Sequence, residues 1–284
     1  MTDTAAAPLA TEGRIESLAQ RQRRRWRMIV ALRLIVFVLL IGGWELSVRA
    51  GWLDAFFFGQ PSAIVAKLID WIENGTSIGP LWKQVWVTIY EAGAGFVIGS
   101  VLGVLCGIAL GRNQLLSDVF SIYIKIANSI PRIVMGSIFI VALGLGAPSK
   151  IALAVVMVFF VVFGNAFQGV READKNLIAN ARILGASNWQ VTRTVILPSA
   201  LSWILASLHV SFGFALIGAI VGEFLGAREG MGLLIASSQG SFDANGVFAA
   251  MIVIAVVALG AEWILTTIEK RLLTWRPEVS AAGE

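Results

Sequence analysis

"ANARILGASNWQVTRTVILPSAL", residues 179–201, is a polar and basic stretch lying between two long apolar runs, near 151–168 and 200–221. Read with the preceding "EADKNLI", it carries Leu177, Ile178, Ala181 and Leu184 at helical spacing. Gly185 follows where a C′ residue takes a left-handed backbone. Ser187 and Gln190 then form a capping-box pattern, so a second short helix starts at once. Pro198 disfavours αR at Leu197, which predicts that this helix ends there and that Pro198 opens the next apolar segment. The stretch encodes a helix–turn–helix elbow held at both ends by apolar segments.

The rest of the chain places that elbow. Of 284 residues, 57% are hydrophobic and 14% charged, against about 25% charged in soluble domains. One Cys (Cys106) and one His (His209) exclude a disulfide framework or a Cys/His zinc site within the chain. A membrane span needs roughly 20 apolar residues, and such runs fall near 28–48, 85–110, 130–145, 151–168, 200–221 and 247–268. The first follows "RQRRRWR" and is too long for a cleaved signal, so it reads as a retained span after a mobile tail over residues 1–20. Segment 119–129 is half apolar and stops before Pro131, as an interfacial helix leading into a bent span would. The reading is an all-α, polytopic membrane protein with six transmembrane helices. Its divisions are a basic tail over 1–27, a transmembrane domain over 28–275 with a polar loop at 171–199, and a second tail over 276–284.

Lys and Arg set the orientation. With both termini in the cytosol, sixteen basic residues lie inside and five outside, among them Lys150, and Arg132 falls within a span. The elbow then faces the cytosol. On the outer side, "PSAIVAKLIDWIEN" (61–74) puts Ile64, Val65, Leu68, Trp71 and Ile72 on one helical face, as expected of a helix lying on the bilayer. "GEFLGAREGMG" (222–232) reads as a short Gly-rich outer loop. In the second span, Gly95, Gly99, Gly103, Gly107 and Gly111 recur every fourth residue. Another helix backbone, from this chain or a second copy, can approach closely there.

At the elbow, "ANARILGAS" followed by "VILP" resembles the EAA loop of ABC-importer permeases, with Ala181, Gly185, Val195, Leu197 and Pro198 at the pattern's positions. The pattern's leading Glu is replaced by Ala179. The similarity extends over "PSAIVAKL", "SIPRIV", "LGLGAPSKIAL", "GEFLGAREGMGLLI" and "EKRLLTW", and these are most similar to the nitrate/sulfonate/taurine branch. The resemblance implies a type I ABC-importer permease fold in a bacterial inner membrane, carrying a small anionic solute. It implies a homodimer, two cytosolic ABC ATPase subunits that bind ATP and Mg, and an extracytoplasmic solute-binding protein. It makes the first elbow helix the coupling helix, with Ala181, Arg182, Leu184, Gly185, Ala186, Ser187, Val195, Leu197 and Pro198 as coupling residues. The chain itself has no G-x-x-x-x-G-K-[ST] to cradle nucleotide phosphates, so no cofactor and no catalytic residue are expected in it.

Polar residues at membrane depth are functional candidates by default. Asn128, Ser129, Arg132 and Asn165 fall on spans expected to border a pathway, and Glu223 matches the family's turn at the outer end of the fifth span. Interhelical hydrogen bonding is the alternative for the uncharged ones. Arg132 draws an anion, snorkels to an interface, or pairs with Glu91, the one carboxylate clearly within a span. His209 reads as a neutral interhelical residue. A secondary transporter or channel is the competing class, and would need a carboxylate chain or inverted repeats.

Overall fold

The computed structural model describes residues 8–272, with side chains over 23–267, so the tail expected at 276–284 lies outside the described residues. All regular elements among the described residues are helices. They form two compact units, one ending at Ala66 and one starting at Lys67.

The first unit is dominated by α1 (Pro8–Arg49). The expected boundary between a mobile tail and a span is absent from Pro8 onward: one helix runs through. "RIESLAQRQRRRWR" is rich in Arg, Gln, Leu, Ala and Glu, all strong helix formers, so the helix has no reason to stop at the membrane surface. Its apolar part, Arg23–Arg49, has no buried residue in its most apolar window, which suits a lipid-facing span. After α2 (Ala55–Phe58) comes α3 (Pro61–Glu73). Glu45 of α1 accepts from Gln60 Nε2 (2.7 Å), Ser62 N (3.0 Å) and Ser62 Oγ (2.9 Å), which fixes the start of α3.

The apolar face expected for α3 splits in the structure. Ile64 and Trp71 are buried, whereas Val65 and Ile72 are exposed. Lys67 sits on the buried side and pairs with Asp243 at 2.8 Å. Partial burial pushes the Asp243 carboxyl up, but Lys67 and the Gly246 N–H outweigh that and hold it below the ordinary Asp value. One edge of the helix is therefore buried and the other exposed.

The second unit holds α4 (Leu81–Arg112), α5 (Gln114–Ser129), α6 (Arg132–Leu143), α7 (Ala147–Arg171), α8 (Lys175–Ile183), α9 (Asn188–Val191), α10 (Leu197–Leu225), α11 (Met231–Gly240) and α12 (Ala244–Leu272). Five helices across the described residues are long and apolar enough to cross a membrane. The pair α5–α6, bent by 88° at Ile130–Pro131, is the sixth candidate by length and composition. Pro131 has φ −60° and ψ 112°, and Ile130 is extended, so the helical ladder stops there. The helix before Pro131 and the bend expected from the sequence are both present.

The middle of the unit is α7, flanked by α4 and α10. The glycine series of α4 faces α7 of the same chain, which decides between the two partners left open by the sequence. A Cβ added at Gly99, Gly103, Gly107 or Gly111 would fall 2.6–2.9 Å from α7 atoms, and at Gly95 it would overlap Ala154. On the other flank, Gly218 of α10 lies against the Ala154 backbone, and Gly169 of α7 lies against Ala200 and Trp203. Lipid supplies no hydrophobic force between spans, so close van der Waals contact along these seams holds the three helices. Branched residues fill the intervening space: Val158, Val162, Ala215, Leu216 and Ala219 pack with Ala92, and Ala166, Val170, Ala200 and Ile204 follow toward the elbow.

Candidate functional site

Between α7 and α10 the elbow is built as a stiff turn. Asp174 caps α8, accepting from Asn176 N at 2.7 Å. The helix ends with Gly185 at φ +82°, the left-handed residue that the sequence called for. Ser187 and Gln190 close the capping box: Ser187 N donates to Gln190 Oε1 at 2.7 Å, and Gln190 N donates to Ser187 Oγ at 3.3 Å. No residue of α8 is buried. Ile183 and Leu184 are 82% and 86% exposed, so the turn ends in an apolar tip with no cover from the described residues. A Cβ at Gly185 would meet nothing within 4 Å.

One expectation fails here. Leu197 is αR, at φ −64° and ψ −45°, and the second elbow helix does not end there. α9 passes through a π-helical turn, Thr192–Ile196, directly into α10, so Asn188–Leu225 is one continuous helix. Pro198 has no N–H to donate to the preceding turn. The wider turn, with Leu197 N donating to Thr192 O, lets the helix pass the ring without breaking. Val195, Leu197 and Pro198 thus belong to the root of the span, while Ala181, Arg182, Leu184, Gly185, Ala186 and Ser187 form the tip.

The residues offered for a pathway wall are placed in two different settings. Arg132 opens α6 just past the break. Its Nη2 donates to Asn128 Oδ1 at 2.6 Å, and the guanidinium lies over the Phe160 ring at 5.4 Å. It does not pair with Glu91. Ser129 Oγ and Asn165 Nδ2 bond back to carbonyls of their own helices, Lys125 and Val161, at 2.8 and 2.9 Å, so neither bridges helices. Asn128, Ser129 and Arg132 gather at the break, and Asn165 stands apart on α7.

Glu223 sits in a third setting. It is fully buried. Its Oε1 accepts from Thr88 Oγ1 and its Oε2 from Gly232 N, both at 2.7 Å. Thr88 Oγ1 also accepts from Met231 N at 2.9 Å, and Gln84 Oε1 accepts from Gly230 N at 2.7 Å. Three consecutive backbone N–H groups at the start of α11 are thereby held by α4 and α10. A Cβ at Gly230 would overlap the Glu223 carboxyl. Glu91 and the fully buried Lys150 complete the cluster; Lys150 Nζ donates to Leu145 O at 2.8 Å and Ser149 Oγ at 3.1 Å.

Lys150 was placed in an outer loop by sequence, and Gln84 and Thr88 were not singled out. The signal for the latter was present: Gln84, Thr88 and Glu91 extend the glycine stripe, on the same buried face of α4. Lys150 lies just inside α7, where an apolar run follows without a break. His209, in turn, faces Glu262 of α12, with Nε2 to Oε1 at 3.6 Å, so Glu91 is not the one carboxylate within a span.

The cluster makes a sharp prediction. Thr88→Val keeps the shape but leaves Met231 N and one Glu223 oxygen without a partner, at a cost of about 3 kcal/mol. Thermal unfolding in detergent should show that loss for Thr88→Val and little change for Thr88→Ser.

A bundle of spans with one bent crossing, a buried polar clamp at one end and a stiff exposed elbow at the other defines a membrane transport component. The chain belongs to the family described as binding-protein-dependent transport system inner membrane component, whose profile matches residues 99–274. It is 31% identical over 254 residues to the putative aliphatic sulfonates transport permease protein of Bacillus subtilis (strain 168), covering 89% of this chain and 90% of that one. Similarity also extends to the riboflavin transport system permease protein of Chloroflexus aurantiacus (28%, 85% and 88%). The taurine transport system permease protein of Escherichia coli (strain K12) is 26% identical, with 92% and 96% covered. Among solved structures, the inward-facing MetNI methionine ABC transporter superposes with a TM-score of 0.58 at 20% identity, over 68% of this chain and 94% of that chain. That likeness shows the fold. The family and the relatives make the chain an ABC-importer permease, multi-pass in the plasma membrane.

Proposed function

We propose that this permease works as a homodimer with two cytosolic ABC ATPase subunits, and that α8 is its coupling helix. The observation that carries the reading is the tip. Ile183 and Leu184 stand almost wholly in solvent on a turn fixed by Gly185 and the capping box, a costly arrangement for a segment that meets no partner. A groove on an ATPase subunit would cover them. ATP and Mg then belong to that partner, and the permease has no catalytic residue of its own. Closure of the ATPase pair draws the two tips together, and the continuous rod from Asn188 to Leu225 carries the displacement into the bundle. The experiment is co-purification of the tagged permease with the ATPase encoded beside it: a complex supports the reading, and a permease that purifies without one counts for a secondary transporter or channel.

The cargo we infer is a small anionic solute presented by a binding protein. Two of the relatives above are named for aliphatic sulfonates and taurine, both of which carry a sulfonate group. Arg132, held at the helix break by Asn128, places a cation where a bent crossing interrupts the lipid-facing bundle. Transport in vesicles loaded with binding protein and labelled sulfonate should fall with Arg132→Gln while ATPase stimulation persists. Equal transport by that variant would remove Arg132 from the pathway.

A further inference from the structure

On the elbow side of the bundle, the α4–α5 junction and the elbow enclose a cleft of about 540 Å³. Arg112 at the end of α4 and Arg182 of α8 line it, together with Asn188, Thr192, Leu115 and Ile196. No Asp or Glu lines it. Neither arginine has an ion pair or side-chain hydrogen bond among the described residues. Two arginines lining one cleft without a carboxylate give it a positive potential, which an anion relieves.

The surroundings specify which anion. α5 leaves the cleft as an amphipathic helix, with Leu115, Val119, Ile122 and Ile126 exposed along it by 52–71%. A ligand that seats a phosphate between the arginines and continues into an apolar tail matches both parts. We propose that the cleft binds the phosphodiester headgroup of an anionic glycerophospholipid, such as phosphatidylglycerol, whose acyl chains follow the apolar side of α5. Basic pockets between spans hold anionic headgroups by this chemistry. Because Arg182 sits on α8, an occupied cleft ties the elbow to the end of α4 and steadies the tip. The proposal goes beyond the coupling assignment and does not require it.

The test uses the full-length protein in a neutral detergent and reads its thermal unfolding. Dihexanoyl-phosphatidylglycerol should raise the unfolding temperature saturably, and dihexanoyl-phosphatidylcholine should not. Arg112→Gln should weaken the apparent affinity about five-fold, and Arg112→Lys should recover most of it. Arg228→Gln, an exposed arginine at the opposite end, removes the same charge and should match the wild type. Equal shifts with both lipids, or an unchanged response in Arg112→Gln, would overturn the proposal. A shift of the same size from inorganic phosphate alone would also overturn it, by making the occupant a free anion.

Discussion

Gly185→Asp is expected to abolish stimulation of the partner ATPase while leaving insertion and dimer formation intact. The backbone at this position is left-handed, at φ +82°, and Asp tolerates that region better than other side chains with a Cβ. Nothing lies within 4 Å of the added Cβ, so the elbow itself keeps its shape. What changes is the surface: a carboxylate now stands beside Leu184, where an apolar tip has to enter a groove. A charge buried there without a partner costs about 3 kcal/mol or more, enough to weaken docking at least about a hundred-fold. Reconstituted ATPase assays with and without permease check this. Normal stimulation by the variant would count heavily against α8 as the coupling helix.

Gly107→Leu should cause the second large loss, this time of the fold. A Cβ at Gly107 would lie 2.6 Å from Ala166 Cβ and 2.8 Å from the Phe163 carbonyl oxygen. Neither can swing aside, because one is a methyl fixed to the helix and the other is backbone. The α4–α7 seam must then open along its length, at a cost of at least about 3 kcal/mol. Gly164→Leu is the control, since a Cβ there meets nothing within 4 Å. Thermal unfolding should fall for the first variant and remain near wild type for the second.

The two predictions draw on features that were legible in the sequence to different depths. A four-residue glycine period states that a backbone approaches, but not whose; the facing residues Ala154, Val158, Val162 and Ala166 look like any apolar run until the helices are assembled. The elbow was readable because its parts are local: a left-handed Gly and a capping box three residues apart. Its far end was misread because the rule for residues before Pro describes an α ladder, and a π turn satisfies the backbone differently. The break at Pro131 followed the same rule and obeyed it. Lys150 was counted on the outside and Glu91 as a lone carboxylate within a span, since hydropathy read along the chain does not show which charges meet. Thr88, which donates to Glu223, is 135 positions away along the chain, on α4. The N-terminal helix extends past the span because propensity, not hydropathy, decides where a solvated helix ends.

These placements also order the roles. The clamp of Gln84, Thr88 and Glu223 fixes the start of α11 at one end of the bundle, the glycine seams keep α4, α7 and α10 together, and the elbow stands free at the other end. A force applied at the tip meets a continuous helix and a tightly packed neighbour, so displacement is passed on instead of being absorbed by a flexible loop.

The central claim is that the tip faces the cytosol and is covered there by an ATPase subunit. Leu184→Cys in a Cys106→Ala background tests it directly, by reaction with a membrane-impermeant thiol reagent in spheroplasts and in opened membranes. The account predicts no labelling in intact spheroplasts, rapid labelling once the membranes are opened, and protection when the ATPase is bound. Labelling from the outside, or labelling that the ATPase leaves unchanged, would contradict it.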